Sequence, residues 1–124
     1  MVLTIDTTLD EDIEVTLTSD KFRLAKRVKA SRQQAEKLLP LIEKVMLSAR
    51  ISWPQIKEIR VQDQGGSFTS LRIGILTANA LAFALGVPVT AFSQATTFKF
   101  PGGQAVKPLY QSEPNIGPKR AAAC

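Results

Sequence analysis

One stretch decides the fold of this chain: GSFTSLRIGILTANALAFALGVPV, residues 66–89. The glycines at 65–66 suit a tight turn, because glycine adopts left-handed backbone angles without strain. Ser67 is an N-cap residue whose side chain can accept a backbone hydrogen bond where a helix begins. Gly86 supplies the matching signal for a helix end. The sequence therefore predicts a long helix over Phe68–Leu85.

Apolar side chains occupy nearly every side of this helix when it is drawn at 100° per residue. One face carries Phe68, Leu71, Ile75, Ala78 and Ala82, and another carries Ile73, Leu76, Ala80 and Ala84. A helix that is apolar all round is buried on more than one side. We expect a sheet to cover one side and the other helix, another subunit or both to cover the rest. The stretch 71–85 is expected to be too short and too polar to span a bilayer.

The remaining elements follow from hydrophobic periodicity and turn signals. Alternating or β-branched runs predict strands, and a 3.6-residue apolar repeat predicts a first helix, which Pro40 should bend or break. Ser52 and Gln55 suit the capping box of one short helical turn. The predicted elements are strands Val2–Thr7, Ile13–Thr18 and Phe22–Val28, helix Ser31–Ala49, strand Glu58–Gln62, helix Phe68–Leu85 and strand Pro88–Phe92.

The order βββαβαβ is that of an RNase H-like half domain, the unit duplicated in the actin-like ATPase superfamily. It implies an α/β fold with a mixed five-stranded sheet and two long helices. Residues 1–93 form this domain. Residues 94–124 hold four of the seven prolines and three of the seven glycines, so we expect an irregular C-terminal tail.

The amino-acid composition excludes several kinds of catalytic and metal-binding site. The chain of 124 residues contains no histidine and one cysteine, Cys124. Serine–histidine and cysteine–histidine catalysis and most zinc sites are thereby excluded. A lone cysteine and a start without a signal peptide fit a reducing cytoplasm. The net charge is +5. A basic excess favours weak, salt-dependent binding of RNA or of an acidic partner, although the basic residues of 21–32 are most simply a solvated strand.

Four segments carry a resemblance to a known family. Leu3–Thr8 resembles the "LAIDTS" strand of the TsaB (YeaZ-like) family, and residues 36–42 resemble its "HSERLLPLI" helix. Residues 66–74, GSFTSLRIG, are close to its "GSFTGLRIG" signature, and residues 82–89 match the segment that follows. The chain differs at Gln34, where the family has histidine, at Ser70, where it has glycine, and at 63–66, where Gly-Pro-Gly is usual. The family normally carries a second domain as well.

The resemblance implies a non-catalytic subunit, without a cofactor, of the cytoplasmic machinery that makes threonylcarbamoyladenosine in tRNA. Its partners would be a TsaD-type catalytic subunit and a TsaE-type ATPase, with weak or indirect tRNA contact and no membrane. Partner binding would use a bundle of the two helices. The predicted interface residues are Leu38, Leu41, Ile42, Val45, Phe68, Leu71, Arg72, Ile75, Leu76, Asn79 and Phe83. Related proteins also form homodimers through this surface, so a homodimeric remnant without modification activity remains an alternative.

Two further sites are open at this stage. Gly65, Gly66 and Ser67 at a helix start could bind an anion or nucleotide through backbone N–H groups, although a tight turn with an N-cap is the simpler explanation of these residues. Asp6, Glu36 or Glu43, and Asp63 could form the acidic cluster of a small metal-dependent nuclease. The simpler interpretation is that Asp6 caps the turn at Thr7–Thr8 and Asp63 serves the turn at Gly65.

Overall fold

The computed structural model describes residues 1–93 with their side chains, and the backbone of residues 98–100 and 103–105. Its first elements are β1 (Val2–Leu9), β2 (Asp12–Ser19), β3 (Phe22–Lys29), α1 (Gln34–Ala49) and a 3₁₀ turn at Trp53–Gln55. They are followed by β4 (Glu58–Val61), α2 (Phe68–Leu85), β5 (Val89–Ala91), β6 (Phe98–Phe100) and β7 (Gly103–Ala105).

The first five strands form one sheet in the order β3-β2-β1-β4-β5. β1 pairs antiparallel with β2 and parallel with β4, and β5 is parallel to β4. Leu3 lies opposite Leu17 on one side and Ile59 on the other, so the apolar positions of three strands are in register. The mixed five-stranded sheet with two long helices confirms the predicted fold class.

Both helices cover the same face of the sheet. On β1, alternate residues are buried, as a strand with one covered face requires, and β2 follows the same alternation except that Thr16 is buried as well. α1 packs over β2 and β3, whereas α2 packs over β1, β4 and β5. The strand residues in the core are Leu3, Ile5, Ile13, Val15, Leu17, Ile59, Val61, Val89 and Ala91. Helix residues join them from above: Leu38, Leu41, Ile42, Val45, Met46, Leu71, Ile75, Ala78 and Ala82.

Helix α1 differs from its prediction in two ways. It begins at Gln34 rather than Ser31, since residues 31–33 form a turn in which Arg32 has a φ of 61°. It also continues through Pro40 without a break. Proline removes the donor that the Glu36 carbonyl would use, but Glu36 and Pro40 are both exposed, so water can serve that carbonyl instead.

Helix α2 has the predicted bounds, with Ser67 as N-cap and Gly86 in the left-handed conformation at its end. By length and composition, α2 is also able to cross a membrane, with 18 residues and a mean hydropathy of 1.5. The expectation for residues 71–85 concerned a stretch three residues shorter than this helix. In the structure, α2 lies on the sheet, and Ser70 and Gly74 are among its buried residues. Contacts of small and polar residues with a neighbouring strand are typical of a helix in a protein core.

The predicted irregular tail needs a correction as far as the structure describes it. β6 and β7 pair as an antiparallel hairpin, with Phe98 opposite Ala105. β7 lies against α2 and β5. The rest of the predicted tail, residues 94–97, 101–102 and 106–124, lies outside the described residues.

The close approach of Gly74 on α2 to Thr7 on β1 predicts that alanine in place of this glycine destabilises the protein, although alanine normally stabilises a helix. A Cβ atom on Gly74 would lie 2.5 Å from the Oγ1 atom of Thr7 and 3.2 Å from its Cγ2 atom. Alanine is favoured over glycine inside helices by about 1 kcal/mol, yet we expect Gly74→Ala to lower the free energy of unfolding by about 1–3 kcal/mol because of overpacking. Urea unfolding measures the change.

Thr7→Ala provides the control for this prediction. It removes the two atoms nearest to the added methyl group, so Gly74→Ala should cost much less in the Thr7→Ala background than in the parent chain. Equal costs in the two backgrounds would show that contact with Thr7 does not limit the helix position.

Candidate partner-binding surface

Ser70 holds the start of α2 against its neighbours. Its backbone N–H donates to the Oγ of the N-cap Ser67 at 3.1 Å, and its carbonyl accepts a buried hydrogen bond of 2.6 Å from Thr7 Oγ1. Its own Oγ accepts from Ser67 Oγ at 2.9 Å and from Gln34 Nε2 at 3.0 Å. These four residues, which we call the polar hub, join the ends of β1, α1 and α2.

The polar hub fixes which side of α2 faces the sheet. The buried positions of α2 are Ser70, Leu71, Gly74, Ile75, Ala78 and Ala82. The opposite side therefore carries apolar groups into solvent. Leu76 is 60% exposed and Phe83 is 55% exposed.

Five of the predicted interface residues share this outer side of α2. Their spacings along the chain are four, four, three and four residues, so at 100° per residue they fall within about 80° of the helix circumference. Arg72 is exposed, and its guanidinium lies 5.0 Å from the ring centroid of Phe68. We call this set the α2 stripe: Phe68, Arg72, Leu76, Asn79 and Phe83.

The remaining predicted interface residues are in the core, and their assignment to a partner surface is corrected. They are Leu38, Leu41, Ile42, Val45, Leu71 and Ile75, each no more than 3% exposed. All of them face the sheet of their own chain. Periodicity identified them as apolar helix positions, but it could not distinguish the side of each helix that faces the sheet from the side that faces outward.

The glycine turn before α2 serves a structural role. Gly65 and Gly66 have φ values of 92° and 72°. A Cβ on Gly66 would lie 2.9 Å from the Cα of Thr8, so the turn passes close to the end of β1. The Ser67 side chain is engaged within the polar hub. An anion bound by these backbone N–H groups stays a prediction.

The residues of the proposed acidic cluster have separate roles. Asp6 Oδ1 accepts hydrogen bonds from the N–H and the hydroxyl of Thr8, at 2.8 and 2.6 Å, which is the turn-capping role expected for it. Asp63 is fully buried and accepts from the N–H and the hydroxyl of Ser93, rather than serving the turn at Gly65. Glu36 and Glu43 are exposed on α1. Within the described part of the chain, no group of three acidic, cysteine or histidine residues is placed to hold a metal ion.

Two contacts were missed by sequence reasoning. Gln34 and Ser70 are positions where the chain differs from the family pattern, and the structure shows that they hydrogen-bond to each other. The presence of both departures from the family pattern in one chain was the signal that could have indicated this contact. The bond from Ser93 to Asp63 spans 30 residues and connects the ends of β4 and β5. No local pattern in the sequence indicates it.

The fold defines the class of protein as an RNase H-like half domain, and comparisons with known proteins define the family. The family model for TsaD, tRNA N6-adenosine threonylcarbamoyltransferase, matches residues 28–104. The curated TsaB protein of Buchnera aphidicola is 28% identical over 93 residues, which are 75% of this chain and 44% of the relative. The TsaB protein of Haemophilus influenzae is 30% identical over 84 residues, 68% of this chain and 34% of the relative.

The solved structure of YeaZ from Pseudomonas aeruginosa superimposes with a TM-score of 0.69 at 31% identity, covering 73% of this chain and 42% of that structure. The chain belongs to the TsaD family of tRNA N6-adenosine threonylcarbamoyltransferase-related proteins, and within it the chain is TsaB/YeaZ-like. It spans less than half of the length of the two TsaB relatives.

A new charge on α2 should reduce the stability of the protein by very different amounts at two neighbouring residues. Ile75 is 1% exposed and Leu76 is 60% exposed. Ile75→Asp places a carboxylate in the core and should lower the free energy of unfolding by more than about 3 kcal/mol. Leu76→Asp keeps its carboxylate in water and should cost less than about 1 kcal/mol. Thermal unfolding followed by circular dichroism compares them, and a large loss for Leu76→Asp would contradict the orientation of α2.

The Gln34–Ser70 hydrogen bond should behave as a coupled pair. Ser70→Ala leaves the buried Gln34 amide without this acceptor, and Gln34→Ala leaves the Ser70 hydroxyl without this donor, so each should cost about 1–2 kcal/mol. The double variant should cost less than the sum of the two by about 1 kcal/mol. Additive costs in urea unfolding would show that the two side chains act independently.

Proposed function

We propose that this chain is a non-catalytic subunit in the biosynthesis of threonylcarbamoyladenosine in tRNA and that it binds a TsaD-type catalytic subunit through the α2 stripe. The curated relatives bear the name tRNA threonylcarbamoyladenosine biosynthesis protein TsaB. The family match, which begins at residue 28 and ends at residue 104, includes both helices, the stripe and three of the four residues of the polar hub; Thr7 lies outside it.

One observation carries the proposed binding role: the apolar, outward-facing stripe on a helix whose other side is fixed to the sheet. Leu76 and Phe83 are seven residues apart, so they lie two turns apart on one side of the helix. Side chains repeated at intervals of three and four residues fit between those of a second helix. The alanines at 80 and 84 are exposed beside them and would allow a partner helix to approach closely.

A supporting role rather than a catalytic one agrees with the residues present. The chain contains no histidine, and Gln34, which stands where the family resemblance has histidine, uses its amide to hold Ser70. The two aspartates of the nuclease alternative are engaged in turn and loop contacts. No observation favours that alternative.

The identity of the helix that covers the stripe distinguishes the remaining hypotheses. A TsaD-type subunit gives a heterodimer, to which a TsaE-type ATPase would add a third component. A second copy of this chain gives a homodimer through the same residues. We propose the heterodimer, because the family resemblance implies a paralogous partner of the same fold.

Co-purification with the TsaD-type protein of the same organism tests this proposal, followed by light-scattering mass measurement. We expect a stoichiometric heterodimer. Leu76→Asp should weaken it at least 100-fold, because pairing would bury a charge without a partner. A chain that stays monomeric, or pairs only with itself, would contradict the proposed function.

Leu47→Asp is the matched control. Leu47 is also an exposed leucine on a long helix, at 79% exposure, but it lies on α1 outside the stripe. The same chemical change there should leave the heterodimer within about threefold of the parent affinity. Equal losses from both variants would show that pairing does not depend on the stripe.

A further inference from the structure

The basic residues of this protein are concentrated along one edge of the sheet. Of the 16 lysines and arginines, eight lie in residues 21–44, together with only two of the 11 acidic residues. This segment contains β3, the outermost strand on one side of the sheet, and the first part of α1, which packs over it. The cations of a single segment are therefore brought together along one edge of the sheet.

The side chains lie on both sides of the edge strand. Arg23 and Lys29 are exposed on the face away from the helices, whereas Lys26 is opposite the core residue Val15 and so lies on the helix-covered face. Lys37 and Lys44 line a groove of about 330 Å³ between α1 and β3, together with Val28, Glu36, Pro40 and Leu41. We call these cations and Lys21 the basic edge: Lys21, Arg23, Lys26, Lys29, Lys37 and Lys44.

Acidic neighbours in the described part of the chain balance only part of this positive charge: Asp12 and Glu14 of β2 lie opposite Lys29 and Arg27 in the strand register, and Glu36 lines the groove with Lys37 and Lys44. Arg27, which lies between these residues, is 3.8 Å from Asp12 and is therefore left out of the set. The six residues of the basic edge make no ion pair with the described residues. The second ion pair among the described residues joins Arg60 and Glu58 on β4. Lys37 Nζ donates to the carbonyl of Lys29 at 3.1 Å, which holds its ammonium group at the strand edge without removing its charge.

We infer that the basic edge binds the phosphate backbone of RNA. Clustered cations repel one another, and a polyanion relieves that repulsion and releases its own counterions. A strand of eight residues provides a strip roughly 23 Å long, enough to follow several consecutive phosphates. That the RNA is tRNA rests on the proposed function, whereas the affinity for an RNA backbone does not.

The chemistry of this surface indicates binding without base recognition. Phe22, which is 39% exposed, is the aromatic residue at the end of the strip, and stacking of bases generally requires several such rings. Lysine and arginine contacts to phosphates position an RNA but do not read its sequence. We therefore expect weak, strongly salt-dependent affinity that is similar for different tRNAs.

Fluorescence anisotropy with an unmodified, labelled tRNA transcript tests the inference, at several salt concentrations between 50 and 200 mM. The full chain should bind with a dissociation constant on the order of micromolar at the lowest salt. Arg23→Glu/Lys44→Glu should weaken binding at least tenfold and reduce the slope of log K against log salt by about two, one for each lost phosphate contact.

Arg50→Glu/Lys57→Glu is the matched control. Both residues are exposed and lie outside the basic edge, and the double change alters net charge by the same amount. It should change the affinity less than about threefold. Equal weakening by both pairs would overturn the inference in favour of net charge alone, and so would a parent chain that does not bind.

Two further measurements separate this inference from its competitors. Circular dichroism checks that Arg23→Glu/Lys44→Glu is folded; if it is not, the milder pair Arg23→Gln/Lys44→Gln should still weaken binding. Leu76→Asp should lose the protein partner and keep its RNA affinity, so the two proposals can fail separately. A basic-edge variant that keeps RNA affinity but loses the protein partner would overturn the RNA assignment and identify the edge as a protein-binding surface.

Discussion

The close contact between α2 and the end of β1 determines much of what this chain presents to its surroundings. Thr7 lies under Gly74, at a distance that leaves no room for a Cβ atom, and its hydroxyl donates to the Ser70 carbonyl. Gly66 also passes close to Thr8, whose Cα atom would lie 2.9 Å from an added Cβ atom. A helix held at these points cannot rotate about its axis without losing buried hydrogen bonds or creating steric overlap. Its sheet-facing side is therefore fixed by small and polar residues, although nearly every side of it is apolar.

The α2 stripe is a consequence of that fixed rotation. Once Gly74, Ile75, Ala78 and Ala82 face the sheet, Leu76 and Phe83 must point outward. The same polar hub transmits the constraint to α1 through the hydrogen bond from Gln34 to Ser70. With Leu38 and Ile42 of α1 facing the core, Lys37 and Lys44 lie along the groove beside β3. Both proposed binding surfaces thus depend on how the two helix N-termini are held.

The sequence predicted those features that depend on local chemistry. The bounds of α2 follow from Ser67 and Gly86, and the strands follow from alternation, so these matched the structure closely. The partner surface was only partly predicted, because periodicity carries little directional information on a helix that is apolar all round. The contact between Gly74 and Thr7 resolves that ambiguity, and it joins residues 67 positions apart. The roles of Asp63 and Gln34 were missed for the same reason, since their partners, Ser93 and Ser70, are distant in sequence.

The layout of the sheet also determines whether the two surfaces compete. In the strand order β3-β2-β1-β4-β5, the basic edge lies at the β3 margin, whereas α2 covers β1, β4 and β5. Helix α1 lies between them over β2 and β3. A helix docked along the α2 stripe would therefore leave β3 and the outer side of α1 accessible. Binding of RNA phosphates by the basic residues at β3 would not require α2 to move. This layout favours simultaneous rather than alternative binding of the proposed protein partner and the proposed RNA, with coupling between the two sites through the polar hub and the contacts between α1 and α2.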